Sequence, residues 1–292
     1  MRARVPWRHL VRLALLLAVA GLLVPDAGVH RTTISLTKVE SAKSVDFADG
    51  VVWLLVLGSD ARPGTPLDKG NTDAIQLVGL DLQSGRAAGI GIPRDAYVDL
   101  PGDDLGMDRI NAAMKRGSTQ VTAAAVADLV GITPDYVFLA GFDGFTDMVD
   151  TIDGVTVDDG DKPPQDLDGA EALEYARTRL GLVGGDFERA AHQQEIMRGI
   201  LDRLLEREDE EGFMERGTLS ALQGMTTDLA PTELYQLAQA VTQIRPSRVS
   251  TCVLVGGSLT TPEGADVIEL DPAQARDVGD DASDNLRFDR GC

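Results

Sequence analysis

Three apolar runs in the first third of the chain constrain its fold more than any other feature. Val51 to Leu57 is continuous, β-branched and aromatic in part, and reads as a central strand. Ala74 to Leu82 and Arg86 to Ile92 flank the turn signal Gln83-Ser84-Gly85 and read as a hairpin. Two of these runs end in charged residues, Leu57-Gly58-Ser59-Asp60-Ala61-Arg62 and Ile92-Pro93-Arg94-Asp95. Strand ends are where open α/β sheets place their ligands. With the hairpin turn centred near Gln83, Asp73 falls opposite Pro93 and next to Arg94. If the first strand runs parallel to the third, Asp60 ends at that edge too.

The rest of the chain alternates between the two periods. Thr119 to Val130 is Ala/Val/Leu-rich at helical spacing and stops at Gly131, Tyr136 to Ala140 reads as a strand, and Phe142 to Ile152 as a helix closing at Gly154. Val155 to Val157 is a short strand and Gly169 to Ala176 a helix. The longest helix is predicted from Phe187 to about Glu208, with Asp186 as its N-cap. Its apolar stripe of Ile196, Ile200 and Leu204 continues backward into Gln193 and Arg189, so the start of the helix enters a polar pocket. A helix around Pro231 to Ile244 and a strand over Val249 to Val255 follow, then an acidic stretch, Asp266 to Asp289, with no chemistry evident. The alternation predicts an α/β sandwich, a mixed sheet with covering helices.

At 292 residues the chain can bury a full core. Its net charge of −20 argues against non-specific nucleic-acid binding. Of 27 basic residues the lysines are Lys38, Lys43, Lys69, Lys115 and Lys162; the rest are arginines, the group that grips phosphate oxygens bidentately. Arg2, Arg4, Arg8 and Arg12 precede the apolar run Leu13 to Val24, which has the length of a signal-peptide core or a short membrane span. No clean small-x-small cleavage site follows, which favours an uncleaved signal anchor with the rest of the chain exported. Residues 25 to about 50 read as a polar stalk. Cys252 and Cys292, an even pair in an exported chain, predict one disulfide tying the C-terminal tail to the body. His9, His30 and His192 are too scattered for a zinc site or a Ser-His-Asp triad.

Farther on, Tyr175-Ala176-Arg177-Thr178-Arg179 and Asp186-Phe187-Glu188-Arg189 precede Gln193. Arg177 and Arg179 alternate on one side of a strand-like segment, as two groups sharing a ligand would. Acids for a metal and arginines for phosphates together point to phosphoryl-transfer chemistry. Structural readings stand beside these: Asp60 as the cap of a turn, Arg94 and Asp95 as a buried ion pair, Arg62 as a surface charge, Tyr175 and Phe187 as core.

The ordered set G-S-D-x-R, T-D, I-P-R-D, R-I-N-A-A, Y-A-R-x-R and D-F-x-R-x-x-x-Q resembles the LytR-CpsA-Psr family over about Val51 to Leu205. The resemblance implies a three-layer α/β/α fold with a mixed central sheet and a hydrophobic tunnel for a lipid. It implies a membrane-anchored, extracytoplasmic enzyme that moves a glycopolymer from a polyprenyl-pyrophosphate carrier onto peptidoglycan. By it, Asp60 and Asp73 hold Mg²⁺ and, with Arg94, are catalytic. Arg62, Arg94, Arg109, Arg177, Arg179 and Arg189 bind the pyrophosphate, supported by Gln193; at Arg109 members often carry lysine. The implied layout is an anchor over 1–30, a stalk over 31–50, a catalytic domain over 51–251 and a C-terminal extension over 252–292. Asn71 and His192 depart from the family pattern, standing where many members carry arginine. Two rival readings use the same residues: a pyrophosphatase that passes the donor to water, and a non-catalytic polyprenyl-phosphate-binding scaffold. A transcriptional attenuator is opposed by the acidity and the export segment.

Overall fold

A computed structural model describes residues 32–40, 50–81, 83–158, 163–178, 185–207, 210 and 225–292. Its strands in chain order are β1 (Ile34–Lys38), β2 (Val51–Ser59), β3 (Thr72–Asp81), β4 (Arg86–Gly91), β5 (Tyr97–Leu100), β6 (Gly106–Arg109) and β7 (Tyr136–Gly141). After these come β8 (Val155–Val157), β9 (Gln165–Leu167), β10 (Met225–Thr227), β11 (Val249–Val253), β12 (Gly256–Thr260) and β13 (Asp266–Leu270). The helices are α1 (Ala113–Arg116), α2 (Thr119–Val130), α3 (Phe142–Thr151) and α4 (Gly169–Arg177). They continue with α5 (Asp186–Glu206), α6 (Pro231–Gln243) and α7 (Pro272–Asn285).

Period-two burial on both faces organises the fold. The central sheet has seven strands in the order β10-β1-β7-β2-β3-β4-β11. On one face Trp53, Leu55, Leu57, Ile75, Leu77, Ile90, Val137 and Leu139 pack with Met114 of α1, Val126 and Val130 of α2 and Val278 of α7. On the other face Val52, Leu80, Ala87 and Tyr136 pack with Leu237 and Ala240 of α6, and Leu201 of α5 lies against them. A smaller cluster joins Val149 of α3, Val155 of β8 and Ala172 of α4 to Ile200 and Leu204 of α5. Helices thus cover both faces of a mixed sheet, the three-layer α/β/α arrangement expected.

Three local devices set the helix ends beside the sheet. Ser118 caps α2 by accepting from the Val121 amide, and Gly131 ends it at φ 81°. Asp168 and Glu171 close a capping box at the start of α4. Asp271 caps α7 through the amides of Ala273 and Gln274.

The predicted layout is corrected in two places. The stretch read as a stalk over 31–50 contains β1, which lies between β10 and β7 inside the sheet. Ile34 and Leu36 point inward between the polar Ser35 and Thr37, a pattern too short to register as a period. The stretch read as an extension over 252–292 is part of the same body: Thr32–Cys292 forms one compact unit, and Ala275, Val278, Ala282 and Leu286 are buried in the core. Four aspartates inside α7 hide that stripe from a composition-based reading. Gly279 lets the helix approach closely, since a Cβ there would lie 1.8 Å from the Val130 carbonyl. Cys252 and Cys292 are joined by a disulfide closing a separation of 40 residues. The anchor predicted over 1–30 lies outside the described residues. Among those described, no helix is long and apolar enough to cross a membrane.

Candidate active site

The strand directions bring the motif residues to one edge. β2 runs antiparallel to β3 and β3 antiparallel to β4, so β2 and β4 end where β3 begins. β7, parallel to β2, ends there too, with Gly141 opposite Ser59. The ladder between β2 and β3 pairs Gly58 with Ala74 and Ser59 with Thr72, leaving Asp73 as the extra residue of a bulge. Bulges beside functional sites re-aim a side chain, and here the side chain is a carboxylate. The β3–β4 register pairs Gln76 with Gly91 and continues through the Ile92 amide to the Ile75 carbonyl at 3.0 Å. Extended by two residues it sets Asp73 opposite Arg94. The expected partner was Pro93; the turn is centred between Gln83 and Ser84, because Asp81 pairs with Arg86. Arg94 Nη1 and Asp73 Oδ1 form an ion pair, with about a fifth of each side chain exposed (21% and 19%).

Asp60 follows β2 directly, and its loop is held from several sides. The Asp60 amide donates to the Asn71 carbonyl at 3.0 Å. Asn71 returns two bonds to the Asp60 carboxylate, from its amide at 2.7 Å and from Nδ2 at 3.2 Å. Asn71, where the family pattern often has arginine, thus caps both carboxylate oxygens of its neighbour. Ser59 Oγ donates to the Leu67 carbonyl at 2.6 Å and accepts from the Ala61 amide at 3.2 Å. Gly70 fits this loop because a Cβ would come within 2.5 Å of the Ala61 nitrogen. Arg62 is exposed, and its side chain makes no ion pair among the described residues. Asp60 and Asp73 are hard oxygen donors on one edge. Among the described residues no cluster of three or more His, Cys, Asp or Glu forms a fuller cage. Such a donor set fits a cation like Mg²⁺, which takes one or two carboxylates together with substrate phosphates.

Arg94 is fixed by its backbone as well as its charge. Its amide donates to Asp186 Oδ2 at 3.1 Å, and its carbonyl accepts from the Asn111 amide at 3.1 Å. Burial opposes the charge on Arg94, but Asp95, Asp73 and Asp186 outweigh it and raise its pKa above the ordinary arginine value. Asp186 also pairs with Arg189, whose side chain is 5% exposed. Asp186 is therefore not the N-cap expected of it. It is the first helical residue, after Gly185, and its carboxylate bridges Arg189 and the Arg94 loop. Asp95 lies 3.6 Å from Arg94 Nε and 3.7 Å from Arg109 Nε. Arg109 donates from Nη2 to the Asp266 carbonyl at 2.7 Å, so it is engaged with Asp95 and β13. The Arg109–Ala113 segment serves the site by clamping the Arg94 loop. The Ile110 amide bonds to the Ala96 carbonyl at 2.8 Å, and Thr72 Oγ1 donates to the Asn111 carbonyl at 3.4 Å.

Three glutamines tie α5 to the sheet below these charges. Gln76 Nε2 donates to the Ala190 carbonyl and to Gln193 Oε1, each at 3.2 Å. Gln194 Nε2 reaches Gln76 Oε1 at 3.2 Å and the Cys252 carbonyl at 2.9 Å. Gln193 Nε2 faces the carbonyls of Asp73 at 3.3 Å and Ala176 at 3.4 Å. Gln193 thus joins β3, α4 and α5, while the buried Gln76 and Gln194 supply a second layer that sequence reading missed. A lone glutamine inside the apolar run of β3 was the available signal.

The Tyr175–Arg179 segment also departs from the strand-like reading. Arg177 is the last residue of α4 and not part of a strand, and Thr178 turns extended after it; Arg179 lies outside the described residues. Tyr175 stacks on His192 with centroids 4.2 Å apart and donates to Glu195 Oε2 at 2.5 Å, so it braces α4 against α5.

The sequence model of the LytR_cpsA_psr family matches residues 26–282. A Bacillus licheniformis protein named polyisoprenyl-teichoic acid–peptidoglycan teichoic acid transferase TagU is 32% identical over 187 residues, 61% of this chain and 60% of the relative. The match thus spans about 60% of that relative's length. Among solved structures, TagT bound to LI-WTA has a TM-score of 0.69 at 26% identity, over 85% of this chain and 96% of that one. The LytR-CPS2A-psr family protein YwtF (TagT) with bound octaprenyl pyrophosphate lipid scores 0.64 at 25% identity, over 85% and 95%. With a family match across most of the sequence and the same fold in solved members, this chain belongs to the LytR-CpsA-Psr family.

Proposed function

We propose that this chain transfers a glycopolymer from a polyprenyl-pyrophosphate carrier to peptidoglycan, working outside the cell membrane from an N-terminal anchor. The observation that carries the proposal is the corner where Asp60, Asp73, Arg94, Asp186 and Arg189 converge from β2, β3, β4 and α5. The names of the relatives, and a solved structure of the same fold with a polyprenyl pyrophosphate bound, support it.

The acceptor hydroxyl of peptidoglycan attacks the sugar-bearing phosphorus, forming a P–O bond. The bond to the bridging oxygen breaks and polyprenyl phosphate leaves. The hydroxyl proton passes to a base at the corner, Asp73 or Asp60. Such chemistry is mainly positioning and charge neutralisation. Arg94 and Arg189 are preset by Asp73 and Asp186, and their task is to stabilise charge on the phosphate oxygens. Arg177, with Arg62 and Arg179, supplies further positive charge, while Arg109 balances Asp95 at the edge. Asp60 and Asp73 would hold Mg²⁺, which when bound neutralises phosphate charge.

The test is a reaction of the full chain in detergent with a polyprenyl-pyrophosphate-linked glycan, with and without peptidoglycan and with Mg²⁺ titrated. Polyprenyl phosphate release that requires both Mg²⁺ and acceptor is expected. Release of equal rate without acceptor would make the chain a pyrophosphatase, and binding without release a scaffold.

A further inference from the structure

We propose that Phe142 is a positioning residue for Arg177, holding its guanidinium face-on so that the N–H edge is presented to a phosphate-bearing ligand. This deepens the anion-binding reading above and rests on it. The Arg177 guanidinium carbon lies 4.3 Å from the centroid of the Phe142 ring. Arg177 is exposed at the end of α4, and among the described residues its guanidinium makes no hydrogen bond or ion pair. Arg94, Arg109 and Arg189 are each paired with a carboxylate. An aromatic face attracts the cation through its quadrupole without using any N–H donor, so the in-plane fork stays available. A carboxylate in the same place would both occupy the fork and oppose an incoming phosphate.

The ring is itself fixed. Phe142 opens α3 directly after Gly141, which pairs with Ser59 and donates to the Thr33 carbonyl at 2.9 Å. Gly144 lets this first turn sit against β1, because a Cβ there would lie 2.4 Å from the Thr33 carbonyl. Thr146 Oγ1 donates back to the Phe142 carbonyl at 2.9 Å. The other half of the stack is tied down by Gln193, which faces the Ala176 and Asp73 carbonyls. Phe142 thus follows the strand end paired with Ser59, the residue before Asp60, and Ala176, the residue before Arg177, is joined through Gln193 to the Asp73 carbonyl, so both partners are tethered to the corner.

The experiment measures octaprenyl pyrophosphate binding to the full chain in detergent for wild type, Phe142→Leu, Phe142→Trp, Arg177→Gln and the Phe142→Leu/Arg177→Gln pair, with a melting curve for each. Phe142→Leu is expected to weaken binding roughly three- to tenfold and Phe142→Trp to restore it. In the Arg177→Gln background Phe142→Leu is expected to have no further effect. If Phe142→Leu unfolds the chain, Phe142→Met, which keeps the volume without the ring, replaces it. Unchanged binding in Phe142→Leu, or the same loss with Arg177 already removed, overturns the assignment while leaving the anion site intact. Failure of the wild type to bind overturns the anion-site reading itself, and this assignment with it.

Discussion

Replacing Arg94 separates a structural ion pair from a group that works on the ligand. In Arg94→Met the stem remains, and so do the two backbone bonds of residue 94, from its amide to Asp186 and from the Asn111 amide to its carbonyl. What is lost is the charge facing Asp73 and Asp95. Removing one partner of a fully buried pair costs about 3–5 kcal/mol, and of an exposed pair about 0–1 kcal/mol. With 21% of Arg94 and 19% of Asp73 exposed, the carboxylates can rehydrate at the open edge. A loss of about 1–2 kcal/mol follows, a fall of roughly 2–8 °C in melting temperature for a domain of this size. Losing one preset donor to the reacting phosphate costs about 10²–10³ in rate. Arg94→Lys keeps the charge without the fork and is expected to fall between wild type and Arg94→Met. Melting curves and single-turnover transfer rates measured on the same samples decide the matter. An unfolded Arg94→Met chain would make the ion pair the purpose of the residue, and a rate within about threefold of wild type would remove Arg94 from the chemistry.

Other perturbations test other parts of the account. Asn71→Ala removes one of two bonds on the Asp60 carboxylate, so the Mg²⁺ concentration for half-maximal rate is expected to rise about fivefold with little change in melting; an unchanged Mg²⁺ curve would make Asn71 a bystander. Cys252→Ser opens a loop of 40 residues and is expected to cost roughly 2–4 kcal/mol without slowing transfer, because the hydrogen bond from Gln194 of α5 goes to the Cys252 carbonyl, which the substitution keeps; an unshifted melting temperature would refute it. Burial raises the Asp135 carboxyl above its ordinary 3.8, against the lowering effect of the Trp53 amide that donates to it at 2.7 Å. The folded state therefore binds this proton more tightly than the unfolded chain. Its contribution to stability falls as pH rises from about 4 through the raised folded value, then stays level. Asp135→Asn keeps an acceptor for Trp53 and is expected to be more stable than wild type at pH 7 and to lose that part of the pH slope; lower stability at pH 7 would contradict this.

Much of the site was legible because it rests on strand direction. Once the hairpin is read as two strands, Asp73 and Arg94 share an edge, and Asp60 joins them if Val51 to Leu57 runs parallel to the third strand, as it does in the structure. The bulge at Asp73 was not legible, since it comes from the pairing of β2 with β3 and not from any residue type. β1 was hidden by brevity and α7 by its aspartates. The alternation in Tyr175–Arg179 imitates a strand, but the capping box at Asp168 and Glu171 commits the segment to helix through Arg177. Asp186 was placed correctly and its role misread. A cap and a bridge between two elements have the same sequence signature, and tertiary contacts alone decide between them.

The most direct measurement is of the covalent product. The full chain in detergent is incubated with Mg²⁺, a polyprenyl-pyrophosphate-linked glycan and peptidoglycan fragments, and the fragments are analysed by mass spectrometry for a glycan joined through a phosphodiester. That adduct is expected from wild type and is expected to be lost in Asp60→Ala and Arg94→Met. Polyprenyl phosphate released with no adduct on the peptidoglycan would contradict this expectation.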